Sequence, residues 1–298
     1  MSKRFAIIAA GGTGGHMFPA AAFAEEMKSR GWRIVLMTDA RGRRYAENFP
    51  AERVEDVAAA SPTLHPLKAL PAALKIWRGI NQAKQRFAEL QPALVAGFGG
   101  YPSFPALMAA RARKVPIVIH EQNSVLGRVN RAMATSAAIV ACGFERLDRL
   151  PAAAHARKRV VGNPVRAPIV AVRQRLYPAA PAGGRLNLLI IGGSQGARLF
   201  GDVIPAAIAL LPEELRARLD VVHQVREEQI EAARQTYAAA SVKAEVAPFF
   251  ADMAERLAAA HLVIARAGAS SVTELQVTGR PAILIPFAAA ADDHQTAN

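Results

Sequence analysis

The sequence has few aromatic residues and almost no cysteine. Cys142 is the one cysteine among 298 residues, which excludes an internal disulfide and a cysteine-based zinc site. A lone thiol is also typical of proteins from a reducing compartment. Only 6% of residues are aromatic although 52% are hydrophobic, and with abundant alanine this composition favours a globular fold with many packed helices.

A long apolar run is missing as well. No stretch reaches the ~20 residues that a transmembrane helix needs. The chain begins with Met1-Ser2-Lys3-Arg4 and the apolar run Phe5–Ala10, which resembles a signal peptide. The apolar run is short, however, and continues directly into glycines. We therefore predict that Phe5–Ala10 is the first β-strand.

Sequence patterns for metal sites are not found either. The sequence contains no D-x-D pattern, which would offer carboxylate ligands to a divalent cation. It also contains no H-E-x-x-H zinc motif. Asp292-Asp293-His294 is the one acidic cluster that contains a histidine, and a solvated loop explains it equally well. We therefore assign no metal ligand and expect no cofactor.

Positive charge is what the chain has in excess. Its 37 Lys and Arg residues outnumber 24 Asp and Glu residues, which gives a net charge of +13. Such a surplus favours an anionic partner, which would be a nucleic acid, an acidic membrane or a phosphate-rich substrate. A generally basic proteome would produce the same surplus without any such partner.

A strand, a glycine-rich turn and a helix occur in this order twice. Each unit is a short apolar run, a glycine-rich segment and a stretch with helical periodicity. Two such units predict an α/β protein with two doubly wound domains, each built on a parallel sheet. The units are Phe5–Ala10, Gly11–His16 and Pro19–Arg30, and then Leu186–Ile191, Gly192–Ala197 and a helical stretch through Leu211.

Further short apolar runs complete the two sheets. Residues 150–185, between the halves, are rich in Pro, Gly, Ala and Arg, and we place the domain junction there. The predicted domains are 1–161 and 162–298. The other predicted strands are Arg33–Thr38, Ala93–Ala96, Pro116–His120 and Ala138–Cys142 in the first half, and Val221–Gln224, Lys243–Ala247, Leu262–Ala265 and Ala282–Pro286 in the second.

Both glycine-rich turns are suited to a ligand phosphate. Glycine lets the phosphate approach the backbone closely, and the amides at the start of the following helix then face its charge. Neither turn is the G-x-G-x-x-G fingerprint of dinucleotide-binding proteins, and the absence of a following G-K-[ST] argues against a P-loop nucleotidase. In the simpler alternative, the glycines serve only the close packing of helix on sheet.

His16 closes the first turn, where a helix begins at the carboxyl edge of the predicted sheet. The ordinary pKa of a histidine, ~6.5, suits it to accept a proton from an attacking hydroxyl. A histidine that merely caps or packs at the turn would give the same pattern.

The segment Leu262–Glu274 predicts a strand, a turn of small residues and a helix. Ser270 or Ser271 would cap this helix, and Glu274 follows Ser271 at the spacing of a capping box. In the functional alternative, the same helix start holds a diphosphate while Glu274 binds hydroxyls of a sugar or ribose.

The segment Pro66–Phe87 mixes apolar and basic residues. An exposed apolar strip with cations along its rim is how a peripheral protein lies on an anionic membrane. The alternative is an ordinary helix that faces the core and has a basic outer surface. The residues assigned to membrane contact are Leu70, Leu74, Lys75, Trp77 and Arg78.

Seven segments together resemble the MurG family, the bacterial UDP-N-acetylglucosamine:undecaprenyl-diphosphoryl-muramoyl-pentapeptide N-acetylglucosaminyltransferases of glycosyltransferase family 28. Each segment alone is a weak signal, but seven in the family's order are highly specific. They are Gly11–His16, Gly97–Tyr101, His120–Asn123, Gly162–Arg166, Gly192–Ala197, Arg266–Glu274 and Asp292–Asn298.

The resemblance implies a GT-B fold, in which two Rossmann-like doubly wound domains face each other across a cleft. It implies an inverting, metal-independent transfer of N-acetylglucosamine (GlcNAc) from UDP-GlcNAc to the 4-hydroxyl of the muramoyl sugar of lipid I, the undecaprenyl-diphosphate-linked muramoyl-pentapeptide. The product is lipid II, used in peptidoglycan synthesis. The implied location is peripheral, on the anionic cytoplasmic face of the bacterial inner membrane, with no nucleic-acid partner.

Carried over by position, the resemblance places the UDP-GlcNAc site in the second domain. The backbone of Phe250 would read uracil, Glu274 would bind the ribose, and Gln295 would contact the sugar. The residues implied around the diphosphate are Arg166, Ser194, Ala269, Ser270, Ser271, Val272 and Thr273.

The first domain is expected to supply the other wall of the cleft. Thr13, Gly14 and Gly15 would line it, and Asn123 would lie near the sugar. His16 is the implied candidate for the general base.

Two features depart from the family's pattern. Val225-Arg226 follows His223-Gln224 where the family has a small residue and a glycine, so the contact of that loop is not carried over. The family also continues past the position of Asn298 with further helices, and the C-terminal domain of this chain is therefore expected to be truncated.

Two alternative functions remain open. One is another GT-B enzyme, such as a glycolipid glycosyltransferase or a UDP-GlcNAc 2-epimerase. The other is a non-catalytic basic protein that binds membranes or nucleic acid, which would leave both glycine-rich turns unexplained.

Overall fold

The computed structural model describes residues 4–61, 65–179, 182–193, 196–288 and 293–298. They form two compact units, one reaching to Arg166 and including Ala297–Asn298, and one of Ala167–Thr296. The junction predicted from composition lies five residues earlier, between residues 161 and 162, and assigns the last two residues to the second domain.

The first unit contains a seven-stranded sheet in the order β3-β2-β1-β4-β5-β6-β7, with every neighbouring pair parallel. The register aligns Ile7 with Val35 on one side and with Val95 on the other. The strands are β1 (Phe5–Ala9), β2 (Arg33–Thr38), β3 (Arg53–Asp56), β4 (Leu94–Gly97), β5 (Ile117–Glu121), β6 (Ile139–Cys142) and β7 (Lys158–Val160).

Four α-helices accompany this sheet, namely α1 (Gly14–Ser29), α2 (Pro66–Leu90), α3 (Phe104–Ala112) and α4 (Arg128–Met133), with short 3-10 turns at Gly42–Tyr45, Tyr101–Ser103 and Ala152–Arg157. Alternate residues of β1 serve opposite faces because strand side chains alternate. Ile7 packs in the core with Phe87 and Leu107, whereas Ile8 packs in the core with Met17. Burial on both faces explains the continuous apolar run of this strand.

The second unit contains a five-stranded parallel sheet in the order β10-β9-β8-β11-β12. Its strands are β8 (Leu186–Ile191), β9 (Leu219–Gln224), β10 (Lys243–Ala247), β11 (Leu262–Ala265) and β12 (Ala282–Leu284). Its helices are α5 (Ala167–Val172), α6 (Arg198–Ala209), α7 (Glu213–Arg216), α8 (Ile230–Ala239), α9 (Met253–Ala259), α10 (Ala269–Thr278) and α11 (His294–Ala297), with a 3-10 turn at Glu227–Gln229.

The two parallel sheets confirm the fold class predicted from the repeated strand–turn–helix units. The sequence prediction missed β3 and β7, which are the two edge strands of the first sheet. Edge strands are short and often charged, and these two read Arg-Val-Glu-Asp and Lys-Arg-Val, so neither shows an apolar run.

Helix α1 begins five residues before the predicted start at Pro19. Gly12 has a left-handed backbone, with φ +87°, and Thr13 is the extended residue that precedes the helix. The Thr13 carbonyl accepts hydrogen bonds from the amides of His16 and Met17, both at 3.1 Å. The helix therefore starts inside the glycine-rich segment, and Pro19 lies within it.

Helix α2 packs closely on the chain that follows β3. A Cβ on Gly79 would lie 1.8 Å from the carbonyl oxygen of Ala58, so only glycine permits this approach. The buried side of the helix continues with Ala83, Phe87 and Leu90. Within the described residues, no helix has both the length and the apolar character that crossing a membrane requires.

Candidate active site

Three of the sequence motifs in the first unit follow neighbouring strands. Gly11–His16 follows β1, Gly97–Tyr101 begins at the end of β4, and His120–Asn123 lies at the end of β5. Carboxyl ends of parallel strands share one edge of a sheet, and the chain order reverses between β1 and β4. Open α/β sheets bind ligands at such a switch point.

His16 lies against the glycines that follow β4. A Cβ on Gly99 would stand 3.4 Å from His16 Cε1, and one on Gly100 would stand 3.3 Å from His16 Cδ2. Both glycines have positive φ, +84° and +74°, which other residues rarely adopt. His16 Nδ1 is 3.1 Å from Gln122 Oε1, so this hydrogen bond orients the ring beside the two glycines.

Gln122 links His16 to the buried His120. Gln122 Nε2 lies 3.1 Å from His120 Nδ1 and 3.2 Å from the His120 carbonyl oxygen. His120 Nε2 in turn lies 3.0 Å from the carbonyl oxygen of Gly162. Phe98 stacks on the His120 ring at a centroid distance of 5.4 Å, and burial lowers the pKa of His120.

Glu121 organises the loop that carries Asn123, a role that the sequence analysis did not assign. Its side chain is buried and accepts hydrogen bonds from the Asn123 amide at 3.2 Å, Asn123 Nδ2 at 3.1 Å, the Gly127 amide at 2.9 Å and Asn130 Nδ2 at 2.9 Å. Four donors satisfy the buried carboxylate. Glu121 belongs to the His120–Asn123 motif, so its position in that motif was the available signal.

Asn123 is fixed by further contacts within the first unit. Its Oδ1 accepts a hydrogen bond from Asn298 Nδ2 at 3.3 Å. Asn298 Oδ1 accepts from the amide of Ser124 at 3.0 Å. The structure therefore shows how Asn123 is oriented, and its contact with a sugar stays a prediction.

Thr13, Gly14 and Gly15 form the start of α1, as the motif requires. Gly14 is buried and Gly15 is exposed. Arg166, which ends the main segment of the first unit, places its guanidinium 4.4 Å from the centroid of the Phe18 ring, an attractive cation–π distance. The structure thus puts Arg166 beside α1, and its contact with a diphosphate stays a prediction.

Asp39, directly after β2, accepts hydrogen bonds from two neighbouring segments. Its Oδ1 accepts a hydrogen bond from the Gly42 amide at 3.0 Å, and its Oδ2 accepts from the Tyr101 hydroxyl at 2.9 Å. Burial, together with the Asp39 carboxylate, raises the pKa of Tyr101. Asp39 therefore ties the turn after β2 to the Gly97–Tyr101 motif.

In the second unit, two motif segments again flank a switch point. The turn Gly192–Ala197 follows β8, and Arg266–Glu274 follows β11, which is the neighbouring strand where the chain order reverses. Gly193 and Gly196 have φ +82° and +67°. Ser194, implied at the diphosphate, lies outside the described residues.

Helix α10 begins without a side-chain cap, and the capping-box interpretation of Ser271 and Glu274 is therefore wrong. Gly268 is the residue before the helix and its carbonyl accepts from the Val272 amide at 2.9 Å. Ser270 and Ser271 lie inside the first turn. The helix starts earlier than the serines predict because extended Gly268, rather than a serine, precedes its first turn.

Ser270 stands out at this helix start. Its Oγ is buried and has no hydrogen-bond partner among the described residues. Thr273 Oγ1, by contrast, donates to the Ala269 carbonyl at 2.9 Å. Ala269 and Val272 are buried, and Glu274 is partly buried one turn into the helix. A hydroxyl without a partner beside the amides that begin a helix is suited to an anionic ligand.

Arg266 has a structural role that the sequence analysis did not assign. The residue is buried and donates through Nη1 to the carbonyls of Ile285 at 3.2 Å and Pro286 at 3.0 Å. Its guanidinium lies 4.7 Å from the ring centroid of Phe200 and 5.4 Å from that of Phe287. Burial lowers its pKa. Arg266 thus holds the chain after β12 against the carboxyl end of β11.

The remaining candidates of the second unit are held in place by neighbours. Phe250 is buried after β10, with the Arg256 guanidinium 4.1 Å from its ring centroid. Gln295 Oε1 accepts from the Phe287 amide at 2.9 Å. Arg226, which departs from the family's pattern, lies beside the second turn, with Nε 3.5 Å from the Gly196 carbonyl oxygen. Contacts of Phe250 and Gln295 with a donor stay predictions.

The apolar residues assigned to membrane contact point away from the core. Leu70, Leu74 and Trp77 are 78%, 47% and 61% exposed, so a helix that buries them in its own domain is excluded. Lys75 and Arg78 are exposed on the same helix. We call these five residues the α2 strip.

No three His, Cys, Asp or Glu side chains in the described part of the chain lie close enough together to hold a metal ion. The expectation of a metal-independent reaction remains a prediction. Cys142 is buried and forms no disulfide, and burial raises the pKa of its thiol.

Comparison with known proteins covers both units. The Glycosyltransferase family 28 N-terminal domain matches residues 6–142, and the Glycosyltransferase family 28 C-terminal domain matches residues 187–298. Each match includes the glycine-rich turn of its unit.

Curated relatives match the chain over its whole length. The UDP-N-acetylglucosamine--N-acetylmuramyl-(pentapeptide) pyrophosphoryl-undecaprenol N-acetylglucosamine transferase of Maricaulis maris is 56% identical over 100% of this chain and 81% of its own length. The protein of the same name from Caulobacter vibrioides is 53% identical over 100% of this chain and 82% of its own length.

Solved structures agree. The crystal structure of Acinetobacter baumannii MurG matches with a TM-score of 0.73 and 32% identity, over 99% of this chain and 81% of that chain. A UDP-GlcNAc 2-epimerase from Neisseria meningitidis has a TM-score of 0.61 at 13% identity, over 95% of this chain and 82% of that chain, which shows a shared fold alone. The predicted GT-B fold is confirmed.

Proposed function

The chain belongs to glycosyltransferase family 28, and we propose that it transfers GlcNAc from UDP-GlcNAc to lipid I, which forms lipid II and UDP. The observation that carries this proposal is the 56% identity over the whole chain to a Maricaulis maris transferase whose name states this donor and acceptor. The chain is accordingly a UDP-GlcNAc-dependent N-acetylglucosaminyltransferase of peptidoglycan synthesis.

We propose that the reaction is one in-line displacement with inversion. The 4-hydroxyl oxygen of the muramoyl sugar forms a bond to the anomeric carbon of GlcNAc, while the bond from that carbon to the diphosphate oxygen breaks. UDP leaves with the electron pair. The hydroxyl proton passes to His16 Nε2, which has no hydrogen-bond partner among the described residues.

The departing UDP needs its developing negative charge stabilised. In the second unit, the amides that begin α10 and the buried hydroxyl of Ser270 support this role. We keep Glu274 as the proposed ribose ligand and Phe250 as the proposed uracil contact. Arg166 and Gln295 are proposed to contact the diphosphate and the sugar.

We propose that the first unit binds the acceptor at the switch point between β1 and β4. Thr13, Gly14 and Gly15 present the start of α1 there, and Asn123 is oriented by the buried Glu121. A helix start is suited to a diphosphate, which lipid I carries.

We further propose that the enzyme binds peripherally to the cytoplasmic face of the bacterial inner membrane. The exposed apolar side chains of the α2 strip and its two cations support this location. The net charge of +13 adds attraction to an anionic leaflet.

The test is a transfer assay with a purified enzyme, radiolabelled UDP-GlcNAc and a lipid I analogue. We expect a labelled lipid II analogue and an equal amount of UDP. Formation of UDP-N-acetylmannosamine, or of its hydrolysis products UDP and N-acetylmannosamine, without acceptor would identify a 2-epimerase instead. Failure to bind UDP-GlcNAc, together with salt-sensitive DNA binding, would identify a non-catalytic basic protein.

A further inference from the structure

We infer that Gln122 is a positioning residue that sets the tautomer of His16, so that the ring proton sits on Nδ1 and Nε2 is free to accept a proton. The inference rests on the proposed function in one respect, that His16 is the general base. The assignment of the proton follows from the hydrogen-bond chain between Gly162 and His16 within the first unit.

The hydrogen-bond chain starts at the carbonyl oxygen of Gly162, which can only accept a hydrogen bond. The carbonyl oxygen of Gly162 has no hydrogen to give, and it lies 3.0 Å from His120 Nε2. His120 must therefore carry a proton on Nε2. Because burial disfavours the charged ring, His120 is neutral and its Nδ1 presents a lone pair.

The side chain of Gln122 then has one orientation. Its nitrogen lies 3.1 Å from the His120 Nδ1 lone pair and 3.2 Å from the His120 carbonyl oxygen. Two acceptors use both amide hydrogens. A flipped amide would set its oxygen against both acceptors and leave its nitrogen toward His16, which buried groups avoid.

The amide oxygen of Gln122 consequently faces His16. It lies 3.1 Å from His16 Nδ1, and an oxygen that accepts requires Nδ1 to carry the hydrogen. A side chain at Gly99 or Gly100 would crowd the His16 ring, so the two glycines leave room for the ring in this position. Neutral His16 therefore has its lone pair on Nε2.

The same hydrogen bond acts before and after proton transfer. When Nε2 takes the hydroxyl proton, the ring becomes an imidazolium that still donates from Nδ1 to Gln122. A hydrogen bond to a charged donor is stronger than one between neutral groups. Gln122 thus orients the base and stabilises its protonated form. The third group in a nucleophile–base–orienting-group arrangement has the same role.

The first test reads the tautomers directly in the wild-type protein. Long-range proton–nitrogen NMR correlations of 15N-labelled histidine rings, assigned with His16→Gln and His120→Gln, report which nitrogen carries hydrogen near neutral pH. We expect Nδ1–H for His16 and Nε2–H for His120. A wild-type His16 ring protonated on Nε2 would overturn the inference, whatever reaction the enzyme catalyses.

The second test uses Gln122→Met, which removes the acceptor toward His16 and the donor toward His120 at similar side-chain length. Gln82→Met is the control, because Gln82 is exposed on α2 and accepts from the Ala58 amide at 2.9 Å. We expect Gln122→Met to lower kcat about 10- to 100-fold, with the KM for UDP-GlcNAc within about twofold, and to give His16 a mixed tautomer.

Gln82→Met is expected to match the wild type in kcat and in the tautomer of His16. Unchanged kcat and an unchanged His16 tautomer in Gln122→Met would overturn the inference. If that variant does not fold, the wild-type tautomers decide. Absence of GlcNAc transfer in the wild type, with the expected tautomers, would reject the proposed function and leave the proton assignment intact.

Discussion

At the scale of single residues, three histidines differ by what surrounds them. His16 is partly exposed and bonded through one nitrogen to Gln122. His120 is buried with both nitrogens bonded. His223 is buried with Nδ1 bonded to Tyr237, while its Nε2 has no partner among the described residues. Of these three histidines, His16 is the one that is partly exposed and has an unbonded ring nitrogen among the described residues.

We predict that His16→Ala lowers kcat for GlcNAc transfer by about 10²- to 10⁴-fold, the usual contribution of a general base. The donor KM should change little, because the His16 ring contacts residues of the acceptor-side unit. Steady-state kinetics against UDP-GlcNAc measures both. His155→Ala, at an exposed histidine of the same unit, should behave as the wild type. An equal loss in kcat and in donor affinity would reject His16 as the base.

We predict that His223 makes the protein less stable as pH falls from about 6.5 to 4. Burial lowers the pKa of His223 to about 4, whereas the unfolded chain protonates its histidines near ~6.5. Between these values the unfolded state binds more protons, so stability is full above pH ~6.5 and falls by about 3 kcal/mol by pH ~4.

His223→Gln is expected to flatten that slope, because glutamine keeps a partner for the Tyr237 hydroxyl and does not titrate. Melting followed by circular dichroism from pH 4 to 8 provides the measurement. The exposed His155→Gln serves as control and should retain the wild-type slope. The same slope in His223→Gln would mean that other groups cause the loss.

At the scale of elements, position in the sheet decides which segments are recognisable. Central strands such as β1 and β8 are buried on both faces, and they appear as apolar runs with nearly the right ends. The edge strands β3 and β7 carry charges and were missed. Helix starts were also misplaced, since extended residues Thr13 and Gly268 begin α1 and α10 rather than the residues that propensity favours.

The α2 strip yields a prediction for one helix. Leu74→Ser with Trp77→Ser should weaken binding to phosphatidylglycerol-containing vesicles about tenfold or more, because burying one large apolar side chain contributes about 1.5–3 kcal/mol. Vesicle sedimentation measures the binding, and the melting temperature should stay unchanged since both side chains are exposed.

Leu176→Ser with Leu210→Ser is the matched control. These leucines are 93% and 86% exposed and belong to the second unit. They should leave vesicle binding unaffected. Equal losses in both double variants would show that general hydrophobicity, and not the α2 strip, determines the attachment.

At the scale of the whole molecule, the proposed reaction relies on helix amides, hydroxyls and Arg166 for the diphosphate. We predict that 5–10 mM EDTA (roughly a thousandfold excess over enzyme) leaves the rate of GlcNAc transfer within about twofold, because a preorganised set of donors can stabilise a leaving oxyanion. Activity that EDTA removes and that Mg²⁺ or Mn²⁺ restores would contradict metal independence.

By itself, the sequence determined the architecture and the positions of the motifs. Buried parallel strands require continuous apolar runs, and glycine is required where the backbone takes a positive φ, as at Gly12. Both requirements concern residues that are close together in the sequence, so they can be recognised from the sequence itself. Sequence similarity to family 28 then identified the reaction.

Only the tertiary structure decided which polar groups meet. Gln122 bonds to His16 across 106 positions of sequence, and Arg266 holds carbonyls about twenty residues further along the chain. The order of the strands determines which residues meet at the carboxyl edge of a sheet. A local sequence pattern does not reveal that order. The sequence therefore predicted His16 as a candidate base, and the fold supplied the hydrogen-bond chain that sets its proton.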